Sequence, residues 1–175
     1  MRFWAAVAAA AVLLGFAAVG EAGAGSVLSA HGIGSVRFGV SKQAALRELA
    51  AILGAPNARG INTGCGARYT EVEWHDLVAE FRSGRFTGYR YLIGGWPLTT
   101  KGSPRETAFA GVAPKLVTAE GVTLGTPLED ARRDDGVLEF VGVDRWRGRD
   151  GLVLRANEST PPRIVEIQVG TCGDF

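Results

Sequence analysis

The chain has 175 residues, 19 of them basic and 18 acidic, for a net charge of +1. So even a balance excludes the electrostatic footprint of a nucleic-acid-binding protein, and with no phosphate-loop or dinucleotide glycine motif no cofactor is expected. A hydrophobic content of 46% supports a globular core, with length for one domain or two very small ones.

The N-terminus opens with Met1 and Arg2, runs through apolar Phe3 to Val19 and reaches GEAGAGS, with Ala22 and Ala24 spaced for cleavage. This pattern predicts a secretory signal peptide over residues 1–24. The alternative is a retained anchor, which needs ~20 apolar residues; here the run is shorter and Gly15 interrupts it. No cysteine sits at the cleavage zone for acylation. The mature protein is therefore expected outside the cytoplasm, secreted and without a stable membrane anchor. In that compartment Cys65 and Cys172 read as a disulfide, the alternative being two separate thiols. In the chain-entropy account, closing a loop of that length contributes up to about 4–5 kcal/mol.

After Ser41, KQAALRELAAIL places Leu46, Leu49, Ile52 and Leu53 on one helical stripe. Ser41 suits the N-cap, Gly54 the residue past the C-terminus and Pro56 a stop. Asn57 to Gly66 reads as a loop. The stretch from Tyr69 to Ile93 reads as a three-stranded meander turning at His75-Asp76 and Ser83-Gly84. Strict alternation puts Val72, Trp74, Leu77, Ala79, Phe81 and Phe86 on a core face. It puts Tyr69, Glu71, Glu73, Glu80, Thr87, Tyr89 and Tyr91 on an open one.

Residues 94–117 are rich in Gly, Pro, Thr and Ser and read as a connector. Val122, Leu124 and Gly125 then echo Val36, Phe38 and Gly39, and Thr126-Pro127-Leu128-Glu129 has the form of a capping box. A weak helix, EDARRDD, follows, and then two strands, GLVLRA and RIVEIQV. The expected fold is α+β: two tandem helix-then-antiparallel-strand repeats, over 33–93 and 118–175, forming one sheet with helices on one face.

Phe38-Gly39-Val40-Ser41, the helix after it, Leu53-Gly54-Ala55-Pro56 and the following Cys65 resemble the FGMT…LG signature. That signature opens each repeat of the beta-lactamase inhibitory proteins and of the small outer-membrane assembly lipoproteins of the SmpA/OmlA type. The resemblance is closer over 33–93 than over 119–170. It implies short helices on one side of an antiparallel sheet, a non-catalytic role and a protein partner held by the open sheet face. No binding residue of either family transfers by position.

Tyr69, Glu71, Glu73, Glu80, Tyr89 and Tyr91 are accordingly the candidate binding residues, because tyrosine offers large contact area at small entropic cost. The alternative function is an exported hydrolase or metal-dependent enzyme using Glu71, Glu73 and His75, which alternate along one strand. One imidazole is few for a zinc site, so no metal is expected. His31, in SAHGIG, reads as a solvated side chain, and no nucleophile motif of the G-x-S-x-G kind is present. In DRWRGRD, Arg145, Arg147 and Arg149 surround Trp146, a pattern able to hold an anionic polymer, but Asp144 and Asp150 reduce its charge.

Overall fold

A computed structural model of the chain describes residues 27–63, 67–93, 116–135 and 138–170. The predicted leader over 1–24, the body of the connector, Cys65 and Cys172 lie outside the described residues. The described residues open with three short strands, β1 (Val27–Ser29), β2 (Gly32–Ile33) and β3 (Val36–Arg37). Helix α1 (Lys42–Leu53) follows, then β4 (Ala58–Asn62), β5 (Tyr69–Trp74), β6 (Leu77–Arg82) and β7 (Arg85–Leu92). The second half holds β8 (Val117–Thr118), α2 (Leu128–Asp135), β9 (Glu139–Gly142), β10 (Arg145–Arg147), β11 (Val153–Ala156) and β12 (Ile164–Val169).

The expected α+β arrangement, two helix-then-strand repeats on one sheet with helices on one face, is not what forms. Strands dominate, with two helices among the described residues, and they make two sheets. One is four-stranded, in the order β3-β2-β1-β8, and the other eight-stranded, in the order β4-β5-β6-β7-β12-β11-β10-β9. The reason lies in the segment before α1. Leu28, Ile33 and Val36 are apolar and fully or almost fully buried, and tight turns between them fold the segment into strands. β8 pairs with β1 in parallel and completes that sheet. The large sheet's core face is therefore covered by a second sheet as well as by helices.

Helix α1 begins and ends where its sequence says. Ser41 is the N-cap and its hydroxyl accepts from the Ala44 amide; Gly54, at φ 84°, caps the C-terminus. It buries Ala45, Leu49 and Leu53. The indole of Trp74 donates to the Gly54 carbonyl at 2.9 Å, tying the helix end to the sheet. Helix α2 buries Leu128 and Ala131 in the same core. The expected capping box does not form there: the Thr126 hydroxyl accepts from the Thr123 amide instead, at 3.1 Å. The segment read as a loop after α1 contains β4, whose alternation pairs it along β5 as an edge strand.

The meander closes in the expected register at both turns, with Trp74 opposite Leu77 and Phe81 opposite Phe86. Between those turns β7 carries a bulge. Phe86 faces Phe81 but Gly88 faces Glu80, so Thr87 is an extra residue. Its hydroxyl donates to the Glu80 carbonyl at 3.2 Å. At Gly88 a Cβ would lie 2.6 Å from the Val169 carbonyl oxygen and 2.7 Å from that of Gly170. Gly88→Ala is expected to cost about 1–3 kcal/mol through that overlap, as a lowered thermal midpoint.

Candidate functional site

The bulge decides which side chains share the polar face. Past it, Tyr89 lies opposite Ala79 and Tyr91 opposite Leu77, both on the core face, while Arg90 moves to the polar face opposite Val78. Expecting Tyr89 and Tyr91 on the open face was therefore an error of one residue in register. Tyr89 is fully buried and donates its hydroxyl to the Ser29 carbonyl at 3.0 Å, joining the two sheets. Burial, and next the charge of Asp150, push its phenol well above the ordinary 10.0, against the opposing effect of the Ser29 bond. Tyr91 is buried too, and burial raises its phenol despite hydrogen bonds with the Leu116 backbone and the Thr123 side chain.

The three glutamates do share the polar face, as expected. Glu71 and Glu80 stand directly opposite each other on β5 and β6. Like charges so placed repel, and Arg90 resolves the conflict. Its Nη2 lies 2.5 Å from Glu71 Oε1 and its Nε 2.9 Å from Glu80 Oε1. Asn62 donates to the same Glu71 oxygen at 2.9 Å. All of these acids are buried, Glu73 included, and Glu73, Glu80 and Arg90 make further contacts besides. Tyr69, at the rim, is also buried, beneath the guanidinium of Arg82.

On β12 and β11 the same face continues. Glu166 and Gln168 are buried, and Glu166 accepts from Arg155 Nε at 2.7 Å. Arg155 pairs across to Arg145 on β10, and Arg147 follows two residues on. Here the face opens: Arg147 on β10 and Glu139 on β9 are exposed, while Arg145 and Arg155 are partly exposed. Trp146 points to the other side and meets Phe140 edge to face at 5.7 Å. The polar face is thus closed over β5–β7 and opens towards β9 and β10, with Arg155 of β11 partly exposed and Val153 beside it still buried.

No family model, curated protein or solved structure matches the chain. The chemistry of the face has to be read from its own residues. Among the described residues no group of three or more His, Cys, Asp or Glu side chains is placed to hold a metal ion. His75 sits in the β5–β6 turn at φ 51°, and the Asn57 side-chain oxygen accepts from its amide at 2.7 Å. His31 lies in the β1–β2 turn and is exposed. A cleft lined by Thr118, Glu120, Val122, Asp150 and Leu152 has room for about one water molecule, too little for an organic substrate. Sequence reasoning missed Arg90, although one signal pointed to it: the open face as drawn gathered three acids and no base.

Proposed function

We propose that this is a non-enzymatic binding protein acting outside the cytoplasm, and that its protein partner docks on the β9–β11 end of the polar sheet face. The observation that supports this is the contrast within that face. Glu71 and Glu80 have side chains only 3% exposed, whereas Arg147 and Glu139 are open to solvent and Arg145 and Arg155 partly so. Arginine is favoured at interface hot spots because a planar guanidinium forms several hydrogen bonds at once and also stacks. The signal-like leader and the resemblance to the inhibitory and assembly proteins favour an exported protein with a protein partner.

A hydrolytic role for the Glu71, Glu73 and His75 region has less support. Both carboxylates of the facing pair are held by one guanidinium and shielded from water, whereas glycoside hydrolysis requires carboxylates that flank an accessible bond. The partner-docking reading is tested with a photocrosslinking residue at Arg147 and, for comparison, at Arg59 on β4. Adducts with one protein at position 147, lost when Arg145→Glu is added, are expected. Equal adducts at both positions would remove the assignment.

A further inference from the structure

The eight-stranded sheet ends at β9, and no described strand pairs with its outer edge. Sheet edges in monomers are usually blunted by lysine, proline or inward charge. Neither lysine nor proline occurs in Leu138-Glu139-Phe140-Val141-Gly142-Val143. Phe140 is 64% exposed, Val141 38% and Val143 83%, so among the described residues three of the five exposed large apolar side chains lie in this one hairpin. The edge offers another strand both apolar surface and main-chain groups that no described strand pairs with.

We propose that the occupant is a second copy of this chain, joined by antiparallel β9–β9 pairing about a two-fold axis, with Phe140 opposite its own counterpart. An isologous contact must be complementary to itself, and this register is. On the core-side face it lines up Trp146, Phe140 and their two counterparts as neighbouring aromatic rings. On the polar face Glu139 stands opposite Val141 of the second copy and next to its Gly142. Gly142 has no side chain, no atom other than those of its immediate chain neighbours lies within 4 Å of where its Cβ would be, and its partner on the neighbouring strand is Arg145. Glu139 therefore reaches diagonally, past Val141 and over the empty position at Gly142, towards Arg145 of the second copy, across two strand spacings of roughly 10 Å that two long side chains can bridge. A guanidinium has five donors, so Arg145 takes the carboxylate without giving up its present contact. Moving the two-fold axis by one residue towards the N-terminus centres the pair on Glu139 and sets like charges face to face, which costs stability.

The apolar area of one hairpin is well short of the ~800 Å² per partner found in standard interfaces, so the association is a weak one. The assembly joins the open arginine regions of two copies into one surface but does not depend on a partner binding there.

Sedimentation velocity of the full chain from about 1 to about 500 µM is expected to show a monomer–dimer equilibrium in the micromolar range. Phe140→Lys, at an exposed position, is expected to leave the thermal midpoint near that of the parent and to abolish the dimer. Glu139→Arg and Arg145→Glu are each expected to be monomeric alone, since each places like charges across the seam. Mixed together they are expected to form a heterodimer with both ion pairs restored. A parent protein that stays monomeric throughout, growth beyond the dimer, or a dimer unaffected by Phe140→Lys would each overturn the proposal. So would two single variants that fail to associate when mixed while each retains a cooperative melt.

Discussion

Arg90→Met is expected to destabilise the fold by about 3–5 kcal/mol, seen as a lower urea midpoint at unchanged slope. The substituted residue is long enough to fill much of the same space, so a cavity is a minor part of the loss. The larger part is electrostatic: Glu71 and Glu80 face each other across β5 and β6, both buried, and Arg90 contacts each of them. Removing the guanidinium leaves two like charges in a poorly solvated site without that compensation. The Asn62 amide, which donates to Glu71, cannot neutralise either one. If this account is right, neutralising the acids as well should recover most of the loss. The triple variant Glu71→Gln, Glu80→Gln, Arg90→Met is expected to be more stable than Arg90→Met alone by a coupling of about 2–3 kcal/mol, measured through the complete set of single, double and triple variants. Additive effects across that set would mean that the three side chains do not act as a unit.

The same three residues show how far local pattern could carry the fold. Helix α1 was legible because its stripe, its Ser41 cap and Gly54 all agree. The two turns of the meander were legible because large apolar residues flank short polar pairs, which fixes Trp74 against Leu77 and Phe81 against Phe86. The small sheet was not legible: β2 and β3 are two residues long, too short for any alternation, and β1 depends on β8, some ninety residues away, for half of its pairing. The polar face was half legible. Alternation found the glutamates, but it placed Tyr89 and Tyr91 on the open face and left Arg90 out of account. Electrostatics supplies the missing residue, since three carboxylates gathered on one face need a base among them. Gly88, a glycine inside a strand, marks the bulge that reconciles the two.

Tyr89→Ala is expected to cost about 3–5 kcal/mol, a loss of the size seen on truncating a buried aromatic side chain. A tyrosine on an open sheet face would lose a small fraction of that, so the measurement separates the two placements. The ring is fully buried beside Phe38, and its hydroxyl reaches the backbone of β1, so the truncation opens a cavity and also cuts a link between the sheets. Tyr89→Phe keeps the ring and loses only the hydrogen bond, at about 1 kcal/mol or somewhat more if the Ser29 carbonyl finds no substitute donor. The two variants also differ from the parent in alkali. Because the folded protein holds the phenolic proton of Tyr89 more tightly than the unfolded chain does, its contribution is complete below 10.0 and is lost as pH rises from there through the raised folded value. Tyr91, raised in the same direction, adds to the effect. Urea unfolding of the parent at about pH 8 and about pH 11 should therefore show a drop in stability that Tyr89→Phe reduces and that Tyr89→Phe with Tyr91→Phe reduces further. An identical alkaline drop in the parent and both variants would mean that neither phenol is buried as described, and with that the register set by the bulge at Thr87 would fail.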